Sequence, residues 1–135
     1  MTVMEWNESL AIDHDVMDDT HKEFVDLLNK LGDAPDDQVL GVIDEFIEHT
    51  VAHFAQEERW MTDMTFPPLH CHTNEHQGVL EIAKEVRGRV ANGETRFGRV
   101  LAQAVAEWFE NHAASMDTVL SLYMKEQGYT PTVGA

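Results

Sequence analysis

Four stretches in which apolar residues recur every three to four positions, divided by short breaks rich in Gly and Pro, limit this chain to a bundle of helices. The first stretch carries His21, Phe24, Val25, Leu28 and Leu31 and stops at the loop Gly32-Asp33-Ala34-Pro35-Asp36. The second turns Val39, Leu40, Val42, Ile43, Phe46, Ile47, Thr50, His53, Phe54 and Glu57 inward, and it should end near Met64, before Phe66-Pro67-Pro68. The third should begin near Leu69 and carry His72, His76, Val79, Leu80, Ala83, Val86 and Val90 as far as Ala91-Asn92-Gly93. The fourth runs from about Phe97 to Gln127, where Gly128 closes it. Its candidate inner side is Val100, Leu101, Ala104, Val105, Trp108, Phe109, His112, Met116, Val119, Leu120 and Tyr123. No strand-like alternation of any length is present. The expected fold is therefore all-α, an antiparallel up-down-up-down four-helix bundle.

At 135 residues the chain is long enough for one domain with a real core. Residues 18–127 are expected to form the bundle and residues 128–135 a short tail. Residues 1–17 read as an irregular arm: Trp6, Leu10, Ile12 and Val16 are apolar but are interrupted by Asn7, Ser9, Asp13 and Asp15. That much apolar surface should pack on the bundle, and Asp18 or Asp19 should cap the first helix.

Twenty-five acidic residues against nine basic ones give a formal charge of -16, and no segment gathers the few cations into a patch. Nucleic acid and anionic membrane are thereby poor partners. No apolar run approaches membrane-spanning length. The start of the chain lacks the basic and apolar pattern of a secretion signal, and a single cysteine, Cys71, cannot form an internal disulfide, so the cytoplasm is the expected compartment.

The helical stripes carry polar groups where a core wants none. His53 and Glu57 stand four residues apart, so both leave one face of their helix; His72 and His76 repeat that spacing. His21 sits alone on the first stripe, where by itself a hydrogen-bonded core histidine would explain it as well as a ligand. His112 and Asp117 are five apart, which on a regular α-helix separates them by about 140°. They would then reach a metal lying alongside the helix from its two flanks. Three neighbours read differently. His49, four before His53, is expected at the helix edge; Glu58 is expected in solvent; Cys71, beside His72, is expected as a buried or half-buried thiol, since a structural zinc site would want further thiolates. Glu110 is expected to face solvent. The Glu-x-x-His signature of ferritin-like carboxylate sites occurs nowhere in the chain. Five imidazoles and two carboxylates make a less anionic donor set than four carboxylates, and imidazole suits iron among several metals.

Taken together, His21, His53 with Glu57, His72 with His76, and His112 with Asp117, along with Trp6-Asn7, Met17 to Lys22 and Trp108, resemble the hemerythrin family, and more closely its single-domain bacterial members. The resemblance covers nearly the whole chain. It implies two Fe ions in a non-haem, oxo- or hydroxo-bridged di-iron centre, with His72, His76 and His112 on one iron, His21 and His53 on the other, and Glu57 and Asp117 bridging both. The second iron is then one ligand short, and dioxygen is the implied partner. By position Phe24, Phe54, Trp108 and Phe109 resemble the apolar gate that keeps the family's oxygen pocket dry. The expected function is reversible dioxygen binding for storage, delivery or scavenging, and not catalysis. The alternatives are an oxygen or redox sensor acting through a separate protein partner, and a di-iron enzyme with oxidase, peroxidase, nitric oxide or iron-handling activity.

Overall fold

The computed structural model describes residues 3–7, 10–12 and 14–130. Ser9 and Asp13 of the arm, and residues 131–135 of the tail, lie outside the described residues. The helices are α1 (Asp15–Asp33), α2 (Val39–Asp63), α3 (Leu69–Ala91), α4 (Arg96–His112), a π-helical segment (Ala113–Asp117) and α5 (Thr118–Gln127), which continues the line of α4. There are therefore four rods, and no strand occurs among the described residues. Each rod packs on its neighbours in the chain, and α1 closes the ring against α4. No helix is long and apolar enough to cross a membrane.

The first helix starts earlier than the acidic pair suggested. Its cap is His14, whose Nδ1 accepts the Met17 amide at 3.2 Å, and not Asp18 or Asp19. Asp18 lies one turn in and folds back. Its carboxylate accepts the amides of Ile12 (2.9 Å) and His14 (3.2 Å), as the acid of a capping box does at the positive end of a helix. The arm packs. Asn29 of α1 accepts the amides of Val3 and Met4 and donates to the Met4 carbonyl at 2.7 Å, Leu10 is buried, and the Lys22 ammonium sits 5.4 Å from the centre of the half-buried Trp6 ring.

Between α2 and α3 the chain turns through Thr65, whose φ of 54° is in the left-handed region, while the Phe66 amide reaches back to the Met61 carbonyl at 2.9 Å. This closure suits glycine. A β-branched residue there pays a conformational penalty of about 1–2 kcal/mol. Thr65→Gly is therefore expected to raise the unfolding free energy by about 1 kcal/mol, allowing for glycine's greater freedom in the unfolded chain. Chemical denaturation of wild type and variant with equal slopes would measure it; a lower midpoint in the variant would show that the turn is not strained.

Two apolar clusters fill the bundle. The larger one includes Phe24, Leu28, Leu31, Ile43, Phe46, Phe54, Leu101, Val105 and Phe109, and the smaller one Met17, Trp60, Met61, Phe66, Leu120 and Met124. Along α1, α2 and the α4–α5 rod the polar residues fall where one cluster gives way to the other, with Phe54 and Ala113 of the larger one interleaved among them, so apolar packing holds the rods on both sides. Several expected inner residues are displaced. Val100 (58% exposed), Ala104 and Val119 (47%) face outward, and Leu40, Ile47, Leu80 and Val86 are half-buried. Cys71 is exposed, contrary to the expected burial, because it lies one residue from the inward-facing His72 on a regular helix. Gly98 is needed for contact between rods: a Cβ there would collide with the Val39 side chain.

The largest departure is in the fourth rod. The π-helical segment Ala113–Asp117 takes up an extra residue per turn, so His112 and Asp117 come to one face instead of standing about 140° apart. The same insertion shifts the stripe beyond it. Where an uninterrupted helix would turn Met116, Val119, Leu120 and Tyr123 inward, the buried residues are Asp117, Leu120, Ser121 and Met124.

Candidate metal centre

Seven polar side chains meet between the two apolar clusters, and all are buried: His21, His53, Glu57, His72, His76, His112 and Asp117. Each is placed by a helical turn. His53 and Glu57 share one face of α2, His72 and His76 one face of α3, and the π turn brings Asp117 round to His112, with Nε2 and Oδ1 3.2 Å apart.

The carboxylates stand in the middle and divide the imidazoles. Glu57 Oε2 lies 2.8 Å from His53 Nε2 and 3.7 Å from His21 Nε2, whereas its Oε1 lies 3.2 Å from His72 Nε2 and 3.4 Å from His76 Nε2. Asp117 makes the same division: Oδ2 is 3.1 Å from His21 Nε2, and Oδ1 is 3.1 Å from His72 Nε2. Two groups of donors result. Glu57, His72, His76, His112 and Asp117 form one and His21, His53 and Glu57 the other, with the donor atoms of each group within 4.8 Å of one another.

Close as they stand, most of these atoms make no hydrogen bond to one another or to the rest of the protein. Nε2 of His21, His72, His76 and His112, Oε1 of Glu57 and both oxygens of Asp117 are buried without a hydrogen bond. Orphaned polar atoms are rare in folded interiors, and a convergent set of nitrogen and oxygen donors is what a transition-metal site requires. Cys71, exposed, is not among the donors. The residues fit a metal centre.

Electrostatics agree with that fit. Burial opposes charge on His21, but Asp117 and Glu57 outweigh it and raise its pKa to about 10; against the same opposition they raise His72 to about 9. Burial also works against ionised Glu57 and Asp117, yet the facing imidazoles hold both well below the usual carboxylate range. Without a metal the pocket takes up protons as its counter-cations. His76 goes the other way, lowered by burial.

Aromatic rings enclose the site in two pairs. Phe24 and Phe109 face the smaller group: Phe109 meets the His21 ring edge-on at 4.9 Å, Phe24 meets the His53 ring at 5.8 Å, and the two phenylalanines touch at 4.9 Å. Phe54 and Trp108 support the larger group. Phe54 stacks on His76 at 3.8 Å, and the half-buried Trp108 stacks on His112 at 4.3 Å.

The neighbours weighed in the sequence take the following places. His49 is at the helix edge, its Nε2 3.2 Å from Glu23 Oε2 and its ring 6.3 Å from that of His53. Glu110 is exposed. Glu58 is not fully solvated as expected: it is half-buried, 4.0 Å from His76 Nδ1, and burial pushes its carboxyl pKa up. One residue escaped the sequence reading. Glu75, on α3, accepts a hydrogen bond from His112 Nδ1 at 2.9 Å. Its position between His72 and His76 was the only available signal.

Fold and site together define a class of four-helix bundle proteins with a buried cluster of histidines and carboxylates at mid-bundle that could hold metal. The model of the hemerythrin HHE cation binding domain matches residues 13–121, and the chain belongs to the hemerythrin family. It is 41% identical over 128 residues to a bacteriohemerythrin of Ralstonia nicotianae, covering 95% of this chain and 93% of that one. A bacteriohemerythrin of Stenotrophomonas maltophilia is 31% identical over 87% of this chain and 78% of its own. A crystal structure of a hemerythrin point mutant superimposes with a TM-score of 0.80 at 24% identity, covering 88% of this chain and 95% of that one.

Proposed function

We propose that this chain binds dioxygen reversibly at a non-haem pair of iron ions and serves to store, deliver or scavenge it. The observation that carries the reading is the division of donors. Each central carboxylate turns one oxygen toward each histidine group, as two metals sharing two bridges would need. His72, His76 and His112 would hold one iron, His21 and His53 the other, and Glu57 and Asp117 both. When bound, a reduced iron pair supplies the two electrons that hold dioxygen. The rest is the work of the side chains. The smaller group has fewer protein donors and is faced by Phe24 and Phe109, so a ligand can enter there while the rings exclude water. The test is anaerobic reduction of the iron-loaded protein, then air, followed by visible absorption. A new charge-transfer band that vanishes under vacuum and returns with air is expected. Zinc in the purified protein, one iron per chain in a well-loaded sample, or steady consumption of reductant would each count against an oxygen carrier.

Metal removal should also change how stability depends on pH. In the metal-free protein His21 and His72 titrate at about 10 and about 9, above the ordinary value of 6.5. Groups raised on folding contribute stability that is fully present below about pH 6.5 and is lost as pH climbs through 9 and 10. The thermal midpoint of chelator-treated protein should therefore fall between pH 7 and pH 10, while iron-loaded protein, with metal in place of those protons, changes little. Equal slopes for the two forms would show that metal and protons do not share these imidazoles. At the acid end Asp117 and Glu57, whose pKa values are depressed, act in the opposite sense, and their contribution disappears as pH falls below the usual carboxylate range.

A further inference from the structure

His112 is held differently from the other four imidazoles. His21, His53 and His76 leave Nδ1 buried without a hydrogen-bond partner. Among the described residues, His112 is the one ring of the five whose outer nitrogen donates to a carboxylate, Oε1 of Glu75 at 2.9 Å. That bond crosses from α4 to α3. Just beside it the two helices part into an apolar cleft of about 280 Å³, whose lining includes Gly78, Ile82, Ala104, Trp108 and Glu75 itself. His72 and His76 meet the inner side of the His112 ring, and the Glu75 hydrogen bond and the stacked Trp108 ring hold it on the side of that cleft.

From this geometry we infer that Glu75 is a positioning residue for the metal centre: it fixes His112 as the Nδ1–H tautomer, aims Nε2 at the shared carboxylate Asp117, and strengthens the imidazole as a donor. The physical argument is short. A neutral imidazole carries one proton, and a carboxylate at Nδ1 keeps it there, which leaves the Nε2 lone pair for a metal. Negative charge on the far side of the ring also raises its basicity, and so favours the more oxidised metal. Glu58 does not do the same for His76, because its oxygen stops 4.0 Å from Nδ1. The side chain of Glu75 is 38% exposed, so its charge is partly screened, but replacing it disturbs no core packing. The inference rests on the di-iron reading above.

The experiment compares wild type, Glu75→Gln and Glu75→Ala. Gln keeps an acceptor for Nδ1–H without the charge, and Ala removes both. Glu75→Ala should release iron to a chelator about 10- to 100-fold faster, the usual effect of losing an outer partner of a ligating histidine. Glu75→Gln should recover much of that retention. The reduction potential of the iron centre should rise in both variants, a change that a purely structural role would not produce. In zinc-loaded protein, nitrogen-detected magnetic resonance should find His112 protonated at Nδ1 with a slowly exchanging proton, and exchange should quicken in Glu75→Ala. Equal iron retention and equal potential across the three proteins, or a zinc-bound His112 protonated at Nε2, would overturn the inference and leave the di-iron reading standing. A wild-type chain that takes up neither iron nor zinc would overturn both.

Discussion

If the centre holds two irons as proposed, replacing either central carboxylate by alanine is expected to strip the chain of most of that iron. Glu57→Ala removes the oxygens that face His53 and His21 on one side and His72 and His76 on the other; Asp117→Ala does the same for His21, His72 and His112. Either variant would then take a donor from both metal positions at once, and it would also remove one of the two negative charges that offset the two cations of the proposed centre. The loss of affinity should exceed the about 10- to 100-fold that follows loss of an outer partner. Iron per chain should fall well below that of His76→Ala, which removes one donor from one group. The helices should survive, because the apolar clusters on both sides contain neither carboxylate. Metal analysis with circular dichroism on the same samples checks both halves. If Glu57→Ala and His76→Ala lose iron equally, the carboxylates are not shared.

The order of these effects follows from features the chain shows before it is folded, and from one that it hides. His53 with Glu57 and His72 with His76 can be seen in the sequence because a regular helix puts residues four apart on one face, and the structure keeps α2 and α3 regular there. His112 with Asp117 could be placed only relative to an assumed regular helix. Periodicity counts residues at one fixed angle, and a π turn between Ala113 and Asp117 breaks that assumption with no Pro or Gly to announce it. The inner stripe beyond it therefore arrives one residue late, at Leu120, Ser121 and Met124. Val100 and Ala104 failed for another reason. A wide apolar stripe does not tell which of its edges is covered, and on the α3 side Gly78 has no side chain to do so while Ile82 itself points out. His14 was passed over as a cap because imidazole is not among the favoured capping groups. Glu75 was hidden by its own exposure: in a chain this acidic, one more half-exposed carboxylate looks like solubility until a distance shows what it touches.

Truncating Phe109 should separate a carrier from an enzyme, and the two aromatic pairs say why that ring and not another. Phe54 and Trp108 lie flat on His76 and His112, so removing either would loosen a ligand as well as open space. Phe109 instead meets His21 by its edge and leans on Phe24, beside the group with fewer donors. It is 1% exposed, so Phe109→Ala leaves a cavity in the interior and costs about 3–5 kcal/mol of stability. A cavity lined by polar donor atoms on one side is one that water will enter. If the chain binds dioxygen as proposed, it should still do so in this variant, since the seven candidate ligands are untouched. What changes is how long it stays: water and protons that reach the pocket let the oxygen-loaded protein autoxidise, so the variant should lose its oxygen-dependent absorption at least about tenfold faster, a difference of about 1.4 kcal/mol in barrier. Phe109→Glu, which adds a proton source at the same place, should be faster still. The measurement is the decay of that absorption in air at one pH, for the wild type and the two variants. An oxygen carrier needs a slow wild type and fast variants. A wild type that already decays as fast as Phe109→Ala, while consuming reductant with turnover, would mean that Phe24 and Phe109 do not keep this pocket dry and that the centre is built to use oxygen and not to hold it.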